Sequence, residues 1–168
     1  MAAYASHSSR SLFSAPLPLV CLQPLLSRVV RGVARRRPEL FRRIGPHGHK
    51  RFLIDPVNMP FVLLLQPDSG HPRLTAVRRG QSVAHDARIA GRFLTLFDMV
   101  DGRLDGDALF FTRELIVEGD TEATVCLRNA LDDLEGSIAD DIAALYGPVG
   151  QGALAALRRL RDGRHARR

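Results

Sequence analysis

The sequence has few of the residues that build covalent or metal sites. It contains no tryptophan, two cysteines and, among its 24 basic residues, a single lysine. Cys21 and Cys126 lie far apart and form no CxxC or Cys/His cluster. Their placement excludes a disulfide framework and a zinc knuckle, and it fits a reducing compartment. No uncharged apolar run approaches the roughly 18 residues of a spanning helix, so an integral membrane protein is not predicted.

Recognisable catalytic patterns are absent as well. No G-x-S-x-G, H-E-x-x-H, P-loop or G-x-G-x-x-G pattern occurs. His85 and Asp86 are adjacent in a predicted strand and would point to opposite faces, so they cannot act as a base and its orienting acid. His47 and His49 stand in a basic loop, as solvated histidines commonly do. The sequence predicts a protein that is not an enzyme and that needs no cofactor and no metal.

A group of acids between residues 98 and 107 superficially resembles a calcium loop. Arg103 lies among them, and no glutamate stands at the twelfth position of such a loop. We therefore interpret these acids as a solvated turn: Asp98, Asp101, Asp105 and Asp107. Cys126, in the middle of a predicted helix, is interpreted as a buried and unreactive thiol.

The length of 168 residues and the ordinary fractions of hydrophobic (45%) and charged (25%) residues suit one globular domain with tails. The net charge of +6 is unevenly distributed, with +9 in residues 1–54, −8 in 55–147 and +5 in 148–168. A domain that binds nucleic acid normally carries positive charge on its folded face. Basic ends on an acidic body fit a contact with a membrane surface or a partner at least as well.

The N-terminal third divides into a tail and a helix. Residues 1–23 are interpreted as a disordered or targeting-like tail. From Pro24 to Arg37 the pattern predicts a basic amphipathic helix that begins at Pro24 and ends before Pro38. Its apolar face contains Leu25, Leu26, Val29, Val30 and Val33, and its basic residues are Arg28, Arg31, Arg35 and Arg36. The helix could touch anionic membrane or pack on the edge of the domain.

The acidic middle, residues 38–147, reads as one domain, and 148–168 as a basic C-terminal helix and tail. Short apolar or alternating runs with short connections predict an antiparallel arrangement of strands: 51–54, 61–66, 73–77, 83–89 and 113–118. Helical spacing predicts four helices: 93–100, 121–134 with Asp120 or Thr121 as its cap, 138–145 after Ser137, and 151–161. The fold class is α+β.

Apolar residues are concentrated between positions 93 and 131. They could simply form the core of a small domain, or they could line an apolar cavity that binds a lipid tail by burial alone. On the second interpretation the lipid-binding residues are Phe93, Leu96, Phe97, Val100, Phe110, Phe111, Leu115, Val117, Leu127 and Leu131.

The segment from His85 to Glu135 resembles the sterol carrier protein 2 (SCP-type) lipid-transfer fold. The similarity covers the strand at 86–89, the helix at 93–100, the 102–111 loop, the strand and turn at 115–120, and the helix that follows. The run LFFTRELIVEGDTE, residues 109–122, is similar to a bacterial, UbiT-like branch of that family, which serves as an accessory factor in anaerobic ubiquinone biosynthesis.

The resemblance implies a five-stranded, mostly antiparallel sheet covered by helices, with an apolar cavity for a polyprenylated quinone precursor. It also implies the hydroxylation factors of ubiquinone biosynthesis as partners, and no nucleic acid. We expect a cytoplasmic protein that contacts the inner membrane peripherally. The alternative is an adaptor that binds nucleic acid or protein through its arginine-rich ends, although aromatic residues for stacking are scarce there.

Overall fold

A computed structural model describes residues 19–102, 115–134 and 136–165. Five strands form one sheet in the order β3-β2-β1-β4-β5. Their bounds are β1 Phe52–Pro56, β2 Phe61–Gln66, β3 Arg73–Arg78, β4 Ala87–Gly91 and β5 Leu115–Gly119. All neighbouring pairs are antiparallel except β1 and β4, which are parallel. The predicted α+β class and five-stranded, mostly antiparallel sheet are confirmed.

Six α-helices of the described residues pack around this sheet. They are α1 Leu19–Arg36, α2 Pro38–Ile44, α3 Phe93–Asp101, α4 Thr121–Asp132, α5 Ile138–Leu145 and α6 Gly147–His165. Two predicted helix caps are confirmed. Asp120 caps α4 by accepting a hydrogen bond from the Ala123 N–H at 2.9 Å. Ser137 caps α5 in the same way, and Gly102 ends α3 in the left-handed region.

Both terminal helices extend beyond their predicted bounds. α1 begins at Leu19, so Pro24 lies inside the helix and not in its first turn. The side chain of Gln23 stabilises this early turn against the sheet, because it bonds to the backbone of β3. α6 begins at Gly147, directly after α5. Pro148 therefore lies in the first turn of α6, where the missing N–H costs no intrahelical hydrogen bond.

The strand predicted at 83–89 is wrong in its first half, since β4 starts at Ala87. Residues 82–86 form a loop, in which the Asp86 carboxylate accepts a hydrogen bond from the Arg51 N–H at 2.7 Å. His85 lies in that loop and not in a strand. The strand predicted at 113–118 is observed as Leu115–Gly119, and its first two predicted residues lie outside the described residues.

Gly119 makes the turn from β5 into α4 possible. Its φ of +81° is in the left-handed region that favours glycine, and an added Cβ would lie 2.4 Å from the backbone oxygen of Asp86. The strand therefore ends there, and Asp120 begins the cap of α4. This turn sets α4 across the sheet, where it forms part of the site described next.

Candidate functional site

An apolar cavity lies between one face of the sheet and the surrounding helices. Its volume is about 220 Å³. Every described residue that lines it is apolar, so this part of the lining offers burial and no hydrogen bonds. The lining residues are Val29, Val30, Val33, Leu40, Phe41, Ile44, Ile54, Leu63, Leu65, Pro67, Leu74, Ile89, Leu96, Met99, Val100, Leu127, Leu131 and Ile138.

The sheet supplies its part of this lining through strand alternation. Residues two apart on a strand share a face. Ile54 pairs with Leu63 on one side and with Ile89 on the other, and Leu65 pairs with Leu74. These five side chains therefore form a continuous apolar floor. The sequence does not mark this face clearly, because β2 (FVLLLQ) is apolar on both of its faces.

The helices supply the rest of the wall. α1 turns the valines of its predicted apolar face inward, and Val30 and Val33 are 5% and 6% exposed. The short helix α2, which the sequence analysis did not predict, adds Leu40, Phe41 and Ile44. Pro38 at its first position is the local signal for α2.

The structure brings together four of the ten predicted lipid-binding residues. Leu96 and Val100 from α3 and Leu127 and Leu131 from α4 all line the cavity. Their spacings of four residues place each pair on one helix face. The assignment of these four to a lipid remains a prediction.

Four other predicted residues lie elsewhere among the described residues. Leu115 is buried in the same core and Val117 pairs with Ile89, so both share the inner sheet face without lining the cavity. Phe97 packs on the opposite side of α3, against the small cluster of Ala139, Ala143 and Leu154. Phe93 is half-buried at the start of α3. Phe110 and Phe111 lie outside the described residues.

The acids at the end of α3 are buried, so their interpretation as a solvated turn is wrong. Asp98 and Asp101 are 4% and 3% exposed. Asp101 accepts hydrogen bonds from Arg158 at 2.5 Å, from Arg161 at 2.9 Å and from Ser137 at 2.9 Å. Burial would raise the pKa of the Asp101 carboxyl, but these donors outweigh burial and the pKa lies below its ordinary value. The other two acids, Asp105 and Asp107, lie outside the described residues.

A third buried acid, Asp55, lies on the sheet face away from the cavity. Asp55 accepts hydrogen bonds from Arg79 and Arg88, both at 2.6 Å. Burial opposes its ionisation, yet the two arginines hold the pKa of the Asp55 carboxyl below its ordinary value. All three buried acids, Asp55, Asp98 and Asp101, are thus paired with arginines within the fold.

No constellation for chemistry was found in the part of the chain that the structure describes. There, no three His, Cys, Asp or Glu side chains come together as a metal site would require. The Cys126 sulfur is half-buried and lies 3.5 Å from the Arg43 carbonyl oxygen. Within the described residues, no helix is long and apolar enough to cross a membrane.

Comparison with known proteins decides the family. The profile of the SCP-2 sterol transfer family matches residues 34–132. The chain belongs to this family. Domains of the SCP-2 family are lipid carriers and are generally not enzymes. The matched region contains α2 to α4 and the whole sheet, which together supply most of the cavity lining.

Solved structures with similar folds include several sterol carrier proteins. A structure described as a UbiJ-SCP2 ubiquinone synthesis protein is 17% identical, with a TM-score of 0.49 over 71% of this chain and 92% of that chain. A sterol carrier protein 2 is 14% identical, with a TM-score of 0.48 over 67% and 97%. Sterol carrier protein 2 from Yarrowia lipolytica is 12% identical, with a TM-score of 0.45 over 66% and 86%. No curated protein sequence matches the chain.

Proposed function

We propose that this protein is a non-enzymatic accessory factor of anaerobic ubiquinone biosynthesis that holds the prenyl tail of a quinone precursor in its cavity. The observation that carries the proposal is that every described residue lining the cavity is apolar, in a chain of the SCP-2 family. Such a cavity selects for hydrocarbon, because a polar group placed in it would lose its hydrogen bonds to water without replacement.

Burial alone supplies useful affinity for a tail. Each CH₂ group removed from water contributes about 0.8 kcal/mol, so five such groups contribute about 4 kcal/mol. An apolar cavity of about 150 Å³ is already large enough for benzene. The volume of about 220 Å³ therefore fits a short hydrocarbon segment. A full polyprenyl chain requires the helices to move away from the sheet.

The choice of a quinone precursor rests on the resemblance of residues 109–122 to the UbiT-like branch. That resemblance also supplies the proposed partners, the hydroxylation factors of the pathway. We place the protein in the cytoplasm, with peripheral contact to the inner membrane. Two arginines of the basic helix support such contact, since Arg31 and Arg35 are exposed and exposed cations near anionic lipid contribute about 1 kcal/mol each.

Native mass spectrometry of the purified protein tests the ligand. The protein should be isolated from a host that makes ubiquinone, and its mass should exceed that of the polypeptide by one prenylated aromatic precursor. Organic extraction should release that compound and return the protein to its polypeptide mass. Bound nucleic acid, or a phospholipid in place of the prenyl compound, would contradict the proposal.

Growth of the source organism tests the pathway. Deletion of the gene should lower ubiquinone in cells grown without oxygen and leave aerated cells unaffected. Complementation with the unaltered gene serves as the control. An equal loss of ubiquinone in both conditions would show that the protein is not specific to the oxygen-independent route.

A further inference from the structure

A second pocket opens where α1 lies along β3, the edge strand of the sheet. Its volume is about 310 Å³. Two of its lining residues, Val30 and Leu74, also line the apolar cavity. The outer pocket and the inner cavity therefore share a wall made of one side chain from α1 and one from β3.

The outer pocket differs from the cavity in its chemistry. Arg31, Arg73, Ser27 and Thr75 are among its lining residues, so cationic and hydroxyl-bearing residues surround it, and none of its described lining residues carries a carboxylate. Arg31 Nε donates to the Ser27 carbonyl oxygen at 2.9 Å, which uses one of the five N–H donors of its guanidinium. This set of donors suits an anionic oxygen such as that of a carboxylate or a phosphate.

Asp68, the acid closest in sequence to Arg73, accepts hydrogen bonds within the turn that contains it. Asp68 accepts hydrogen bonds from the backbone N–H groups of Gly70 at 2.8 Å and of His71 at 3.4 Å. The Asp68 carboxylate is thus held by the loop that precedes β3, and it is not among the residues lining the outer pocket.

Among the described residues, a single side chain, Gln23, forms the hydrogen bonds found between α1 and β3. Gln23 donates to the Leu74 carbonyl oxygen at 3.1 Å and accepts from the Ala76 N–H at 3.2 Å. The Gln23 amide thereby covers part of an exposed strand edge. A contact made by one amide and by apolar packing can open without breaking the strand pairing of the sheet.

We infer that the α1–β3 contact is the mouth of the cavity and that the outer pocket holds the anionic head group of an amphiphilic lipid. The tail passes between Val30 and Leu74 into the cavity, and the head group stays outside against Arg31 and Arg73. This inference rests on the proposed function, because it places the head group of the molecule whose tail the cavity holds. It assigns the ligand to single-tailed lipids with an acidic head.

The test compares two ligands that share one tail. A long-chain fatty acid and the alcohol of the same length are titrated into the parent protein and into the double variant Arg31→Gln/Arg73→Gln. We expect the double variant to bind the acid about tenfold more weakly, since hydrogen bonds to charged groups have that order of strength, and to bind the alcohol as the parent does. The matched control is Arg35→Gln/Arg78→Gln, which removes the same charge from exposed positions on α1 and β3 and should bind both ligands normally.

Four outcomes would overturn the inference. Unchanged binding of the acid, or an equal loss for acid and alcohol, would place the head group elsewhere. Competition by inorganic phosphate as strong as that by the fatty acid would identify an anion site that is independent of lipid. If the control variant weakened binding as much as the double variant does, the loss would come from the lower net charge of the protein and not from a specific head-group site. Failure of the parent to bind either ligand would instead contradict the proposed function itself, and the inference would fall with it.

Discussion

The two terminal helices are similar in composition and different in role. Both α1 and α6 are rich in arginine and have few acids. α1 turns Val30 and Val33 into the wall of the cavity. None of the described lining residues of the cavity comes from α6, which packs on α5. The most buried cation of α6 is Arg161, which is 5% exposed. The net charge of a terminal helix therefore does not indicate its role. The positions of its apolar residues and of its buried partners do indicate that role.

The comparison also accounts for the uneven charge of the sequence. Basic residues near both ends pair with acids of the middle region. Arg37 contacts Asp141 at 2.7 Å, and Arg158 contacts Asp101 and Asp140 at 2.5 and 2.9 Å. A substantial part of the basic charge is thus used inside the fold and is not available to an external polyanion, which weakens the adaptor alternative.

The largest effect is expected from breaking the attachment of α6. Asp101→Ala removes the shared acceptor of Arg158, Arg161 and Ser137, and loss of one partner from a buried ion pair costs about 3–5 kcal/mol. Chemical denaturation measures the change. Asp133→Ala is the control, because its contact with Arg43 is exposed and should cost less than about 1 kcal/mol. Similar losses for both variants would show that the Asp101 cluster is not a buried attachment.

Acid should remove part of the stability that the buried carboxylates contribute. The pKa values of Asp55 and Asp101 are lower in the folded protein than the ordinary value of 3.8. The stability they contribute is present above that ordinary value and is lost as the pH falls through the still lower folded values. The denaturant concentration at which half of the protein is unfolded should therefore decrease as the pH is lowered below about 4. Asp101→Asn should flatten the dependence, and an unchanged slope in that variant would contradict this assignment.

Truncation of one apolar residue on each helix should separate stability from binding. Leu154→Ala on α6 removes a buried side chain outside the cavity and should cost about 2–3 kcal/mol. Val33→Ala on α1 should cost about 2 kcal/mol and enlarge the cavity. At equal folded fraction, we expect Leu154→Ala to leave the affinity for a branched prenyl alcohol unchanged and Val33→Ala, which alters the lining, to change it. Parent-like affinity in both variants would argue against a lipid cavity next to α1.

The smallest loss of stability is expected from weakening the contact between α1 and the edge strand β3. Gln23→Ala removes two hydrogen bonds to the backbone of β3 and should cost about 1 kcal/mol. Hydrogen exchange at the Ala76 amide should become faster in this variant, while amides of α6 keep their rates. A uniform acceleration throughout the chain would show global destabilisation and no local role.

Local signals predicted the elements that have clear boundaries. Met59-Pro60 and Pro67-Asp68 enclose a short apolar run, and β2 is observed as Phe61–Gln66, as predicted. Asp120 and Ser137 were recognised as caps because the preference for these residue types is a property of the helix end itself. Four cavity residues were found because α3 and α4 each present one apolar stripe.

The rest depended on contacts between distant residues. The apolar face of α1 was evident, but amphipathic spacing does not tell what covers such a face, and here it is the inner sheet face. The burial of Asp98 and Asp101 depends on Arg161, about 60 positions away. The floor of the cavity was missed because strand alternation shows two faces without telling which one the helices cover.

Filling the cavity tests the central claim most directly. Leu131→Trp places an indole in the cavity from α4, and Val125→Trp places one on the same helix at a position that is 46% exposed. Titration with a prenyl alcohol, at matched folded fraction, should show a loss of affinity of about tenfold or more for Leu131→Trp and parent-like affinity for Val125→Trp. Equal affinity of the two variants would contradict the claim that this cavity holds the lipid tail.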